Sequence, residues 1–168
     1  KIIANRTLAI QSGELNNQHG LLQSGENALI DTDNRTFDNR QTLTSERDNG
    51  LVVLGKLTLN TGTLLNEQGY IASRDTQQMT ADSLNNRAGI IQNNSTQVLQ
   101  ISGALNNRNG QMIAEQDSHI RSQALENSQG LIRSGKNLVL NTQGYELNNT
   151  QTLDADRDQG IIALGKLT

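Results

Sequence analysis

Short runs of alternating apolar and polar residues recur along the chain, as in TLAIQ (residues 7–11), KLTLN (56–60) and NLVLN (137–141). A period of two is the strand signature, because successive side chains leave opposite faces of an extended backbone. No stretch keeps apolar residues at helical spacing. Between the strands one polar corner returns, Leu-x-Asn-x-x-Gly. It occurs at Leu15/Asn17/Gly20, Leu64/Asn66/Gly69, Leu84/Asn86/Gly89, Leu105/Asn107/Gly110 and Leu125/Asn127/Gly130. Phe37/Asn39 and Leu147/Asn149 are partial copies without the Gly at that place, and successive anchors lie 22, 27, 20, 21, 20 and 22 residues apart. Two positions after each Gly stands an apolar residue, and small or polar residues follow two further on. Counted this way, Leu22, Val52, Ile71, Ile91, Met112, Ile132 and Ile162 are expected to form one inward column.

A unit of about 20–22 residues with short strands and no helix buries its apolar face by stacking on its own copies. The predicted fold is therefore an all-β parallel β-helix, a solenoid of about eight coils and on the order of 40 Å long at strand spacing. Asn and Gly suit a sharp corner because they take positive φ most cheaply. Asn17, Asn39, Asn66, Asn86, Asn107, Asn127 and Asn149 are candidates for an amide ladder along the axis. The alternative is that they are solvated turn residues.

A longer repeat overlies the short one. Residues 15–58 align with 125–168 at an offset of 110, with 20 identities in 44 positions. Both copies delay the corner Gly, to Gly50 and Gly160, which reads as 8 extra residues in polar loops at 40–49 and 150–159. Each loop carries an Arg-Asp pair, Arg47-Asp48 and Arg157-Asp158. One reading has each Arg steady its loop by bonding neighbouring carboxylates. The other makes the two loops a bivalent contact at fixed spacing, roughly 24 Å apart over five coils.

Composition narrows the function. The chain of 168 residues is 33% hydrophobic and 2% aromatic, with 21 Asn and 17 Gln. Such polarity alone fits a disordered chain, and it is the repeats that argue otherwise. A net charge of −3 gives no basic surplus for nucleic acid. Without Cys there are no disulfides and no thiolate metal sites. No apolar run reaches the length of a membrane span, and no signal peptide opens the sequence, so an export signal is expected outside it. With the repeat running from Leu8 to GKLT and no capping element in view, residues 1–168 are expected to be one excised segment of a longer filament, prone to associate end to end.

Leu-x-Asn-x-x-Gly-x-[Ile/Leu]-x-[Ser/Ala] in tandem, from about Leu8 to the end, resembles the haemagglutinin repeats of filamentous haemagglutinin. The same repeats mark related two-partner-secreted exoproteins, including contact-dependent growth-inhibition toxins. The resemblance implies a right-handed β-helical filament exported through an outer-membrane transporter partner. It further implies display at the cell surface of a Gram-negative bacterium, as a virulence adhesin or a stalk for toxin delivery. A receptor or glycan on a neighbouring or host cell is then the expected partner.

Candidate chemistry is sparse. His19 and His119 lie in polar stretches with no further ligand at metal spacing, and no nucleophile elbow occurs. Asp154, Asp156 and Asp158 resemble the start of a calcium loop, but the Gly comes one position late and residue 165 is Gly where a bidentate Glu belongs. Their counterparts are Thr44, Glu46 and Asp48, so a solvated loop is the expectation there. Tyr70, Tyr145 and Phe37 are too scattered for a sugar platform. No catalytic residue, cofactor or metal is expected, and a polysaccharide-cleaving β-helix enzyme ranks last, behind a structural stalk and a receptor- or glycan-binding module.

Overall fold

The computed structural model describes residues 1–153 and 158–168, so Asp154, Asp156 and Arg157 lie outside the described residues. The chain winds as a β-solenoid of about seven turns, and no helix occurs among the described residues. Among the described residues three parallel sheets of eight, seven and seven strands run along it, and every strand pairs with its counterparts in the adjoining coils. One coil shows the plan: Tyr70–Ser73 lies in the first sheet, Gln77–Ala81 in the second and Ser83–Asn85 in the third.

The interior is a set of axial columns, each supplied by one position of the repeat. Leu15, Phe37, Leu64, Leu84, Leu105, Leu125 and Leu147 follow one another in register down the third sheet. Ile10, Ile30, Leu59, Met79, Leu99, Ile120 and Leu140 do so in the second. In the first sheet the column reads Leu22, Leu51, Ile71, Ile91, Met112, Ile132, Ile161.

Two expected members of that last column are corrected. Leu22 pairs with Leu51 rather than Val52, and Ile132 with Ile161 rather than Ile162. Val52 and Ile162 therefore belong to the outward row and are only half-buried. The reason is that Gly50 and Gly160 are not corner glycines. They occupy the first strand position, opposite Leu21 and Leu131, with φ of 95° and 99°. The insertion between Asn39 and the next strand is accordingly seven residues, not eight.

Candidate functional site

The corner that joins the third sheet to the first is the most regular polar feature of the molecule, and each residue of Leu-Asn-Asn-x-x-Gly has a separate task. Leu fills the core column. The first Asn faces outward and its Oδ1 accepts the backbone N–H two residues on, from Asn16 to Gln18, Asn85 to Arg87 and Asn106 to Arg108. This local turn bends the chain without help from the rest of the coil.

The second Asn faces inward. Asn39, Asn66, Asn86, Asn107 and Asn127 are fully buried, and Asn17 nearly so. Nδ2 of each donates to Oδ1 of the Asn one coil on: Asn17 to Asn39 at 2.8 Å, Asn39 to Asn66 at 2.8 Å and Asn66 to Asn86 at 2.7 Å. Asn86 to Asn107, Asn107 to Asn127 and Asn127 to Asn149 continue the line at 2.7, 2.7 and 2.8 Å. The second Nδ2 hydrogen reaches backbone carbonyls, Asn39 to Tyr70 O and Asn107 to Leu131 O among them. A buried amide left unpaired is costly, so a continuous line of this kind makes each coil depend on the next.

Positive φ falls elsewhere than expected. Not the ladder Asn and not the corner Gly, but the variable residue between them takes it: His19, Gln68, Ala88, Asn109 and Gln129, at φ of 50–55°. The corner Gly is needed for close approach instead. A Cβ on Gly89, Gly110 or Gly130 would run into the backbone oxygen of the ladder Asn one coil back, and into Oδ1 of its own ladder Asn. Gly110→Ala is therefore expected to cost about 1–3 kcal/mol through forced displacement. Gly13→Ala, where the added Cβ meets nothing within 4 Å, is the control and should change stability by less than about 0.5 kcal/mol. Urea unfolding of both variants decides the matter, and equal costs would remove the close-approach explanation.

A second interior ladder was not foreseen. Gln77 and Gln97 occupy inward positions of the second sheet, in a column with Leu57 and Leu138. Gln97 Nε2 donates to Gln77 Oε1 at 2.9 Å, and Ser118 Oγ reaches Gln97 Oε1 at 3.4 Å. The signal was present in the alignment of QQMTA with QVLQI, where two polar residues share a position that Leu fills elsewhere.

Outside the ladders, and among the described residues, the corner carries one tight ion pair, between Asp38 and Arg40. Asp38 accepts from Arg40 Nε at 2.9 Å and Nη2 at 2.7 Å, from the Arg40 N–H and from Gln18 Nε2. Burial alone raises the pKa of this carboxyl, but the hydrogen bonds from Arg40 and Gln18 more than offset it and hold the net value below the ordinary range. A carboxyl whose folded pKa is depressed stabilises the fold above its unfolded pKa, near about 4, and loses that contribution as pH falls through the folded value. Acidification is thus expected to lower the wild-type melting temperature more than that of Asp38→Asn. Parallel slopes between about pH 5 and about pH 2 would contradict this.

Among the described residues no group of three His, Asp or Glu side chains is placed to hold a metal ion, and no helix is long and apolar enough to cross a membrane. His19 sits at a positive-φ turn position, and His119 is exposed on the outer face of the second sheet. Phe37 lies in the core, Tyr145 is exposed, and Tyr70 is covered by the inserted loop.

In that loop Ser45, Glu46, Arg47 and Asp48 are exposed. The expected pairing of Arg47 with its neighbouring carboxylate is corrected: Asp48 instead accepts from Thr44 Oγ1 at 2.7 Å, and Arg47 lies over the Tyr70 ring, 5.8 Å from its centroid. Of the second pair, Asp158 is exposed, while Arg157 is outside the described residues. Asn39 and Asn149, from which the two loops depart, are five ladder steps apart on one corner.

The haemagglutinin-repeat family matches residues 1–46 and 34–168, which together cover the whole chain. Neither the curated proteins nor the solved structures hold a significant match to it. Haemagglutinin repeats belong to secreted or cell-surface exoproteins of Gram-negative bacteria, in the setting of two-partner secretion, and are structural and adhesin-like in character. With a parallel solenoid whose corner motif is this repeat, and a match from one end to the other, the chain belongs to the haemagglutinin-repeat family.

Proposed function

We propose that these coils are a stalk segment of a large exoprotein, carried through an outer-membrane transporter partner and displayed as a filament at the cell surface. The observation that carries this reading is the uninterrupted axial stacking: three parallel sheets run along the coils and an amide line runs from Asn17 to Asn149, an arrangement suited to a rod. A rod of this kind sets a distance. It holds an adhesive tip or a toxin away from the envelope without itself recognising anything. The two loops at 40–49 and 150–159 support a second reading, a binding module for a receptor or glycan, because the tip of the first is exposed on the same corner from which the second departs.

The parent exoprotein separates the two readings. Excising one whole coil, residues 84–104, should leave surface display and attachment or toxin delivery intact. Shortening both loops should likewise leave attachment unchanged. Loss of attachment on loop shortening, with display preserved, would overturn the spacer reading in favour of the binding module.

A further inference from the structure

The corner carbonyls of the solenoid have a regular use that fails at one place. The first residue of each strand in the first sheet donates its N–H to the corner Gly oxygen one coil back. Gly50 reaches Gly20 O at 2.8 Å, Ile90 reaches Gly69 O at 2.8 Å, Gln111 reaches Gly89 O at 2.9 Å and Leu131 reaches Gly110 O at 2.9 Å. Tyr70 cannot follow the rule, because the insertion replaces the corner Gly of the preceding coil. Its N–H donates instead to Thr42 Oγ1 at 3.0 Å, and the Thr42 hydroxyl donates in turn to Asn39 O at 2.9 Å. Thr42 is fully buried. An inserted side chain thus stands in for a missing backbone acceptor.

From that anchor the loop runs along the rod rather than away from it. Gln41 and Leu43 donate their N–H groups to Glu67 O and Gln68 O, at 3.0 and 2.9 Å, on the corner of the next coil. At the tip, Arg47 caps the Tyr70 ring and its Nη1 lies 3.5 Å from Gln92 Oε1. Gln92 belongs to the coil beyond, and its Nε2 donates to the Tyr70 hydroxyl at 2.9 Å. The loop, which leads directly into strand Gly50–Val53, therefore reaches strands Tyr70–Ser73 and Ile90–Asn93 of the next two coils, so that three successive coils are joined through it.

We propose that loop 40–49 is a staple that fastens these three coils together, so that they open as one unit. In a plain solenoid each coil touches only its neighbours, and opening at one coil spreads step by step. A tie that skips a coil adds a coupling the repeat itself lacks. Each surface contact is weak by itself, the cation over the aromatic ring included, but they act on one segment with a buried anchor. Thr152 holds the place of Thr42 in the second copy, so the duplication repeats the residue that serves as anchor in the first. This inference does not depend on the stalk reading.

Native-state hydrogen exchange on the 168-residue protein tests it. In Arg47→Ala and in Gln92→Ala, amides of strands Gly50–Val53 and Tyr70–Ser73 should exchange about fivefold faster or more, with strands Gln111–Ala114 and Leu131–Ser134 unchanged. Thr42→Val should release the Tyr70 amide, and Thr42→Ser, which keeps the hydroxyl, should restore its protection. If Thr42→Val fails to fold, the two surface variants carry the test alone. Exchange in both surface variants within about twofold of wild type, over all four strands, would show the loop to be a free arm and overturn the staple.

Discussion

Truncating Ile91 to alanine is expected to cost about 2–5 kcal/mol, the range for deleting a fully buried aliphatic side chain. Ile91 is completely enclosed, with Ile71 on one side of its column and Met112 on the other. The value should sit high in that range. The backbone of the coil is held on both sides by parallel hydrogen bonds, so the walls of the new cavity cannot close over it. Val52→Ala is the comparison: this residue lies in the outward row of the same sheet and should cost well under half as much. Chemical denaturation of the two variants measures the difference. Equal losses would mean that the register of the first sheet is not the one described.

Replacing Asn107 by alanine should be nearly as damaging, about 2–4 kcal/mol, although a solvated turn asparagine would cost about 1 kcal/mol or less. The larger figure follows from what the change leaves behind. Asn127 Oδ1 and Leu131 O each lose a donor, and Asn86 Nδ2 loses its 2.7 Å acceptor, all inside the rod. Asn106→Ala is the matched control, since that side chain faces outward and supports only the N–H of Arg108. A ladder predicts a wide gap between these adjacent asparagines in thermal or urea unfolding. Similar small losses would reduce Asn107 to a turn former.

The recurrence at about 20 residues made the solenoid, the inward Leu column and the line of second asparagines legible, because stacking puts every repeated position beside its copy. Where the repeat is broken, that legibility ends. Gly50 and Gly160 look like the corner glycine, yet they stand one position further on with a backbone only Gly takes easily. Reading them as corner residues shifted Val52 and Ile162 by one and, with a period of two, turned them to the wrong face. Thr42 was invisible for a related reason: its value lies in an N–H left without a partner 28 residues away. The division of labour at the corner was equally hidden, since Asn and Gly each have more than one physical reason to be there.

The asparagine line has a direction, with every Nδ2 pointing toward the following coil and every Oδ1 toward the preceding one. Such a line can be lengthened only in whole turns. A fractional turn added within the coil path would swing the next amide out of the interior and leave its neighbour with no complement, whereas a loop that bulges from the corner, as between Asn39 and Asn66, leaves the line intact, and an added whole turn meets the same donor and acceptor it displaced. The offset of 110 residues between the two copies corresponds to five ladder steps, so the duplication obeys this rule despite the loop it carries along. Reach in such a rod is therefore expected to change by integral numbers of turns, with recombination between mismatched positions failing at the level of folding rather than of recognition.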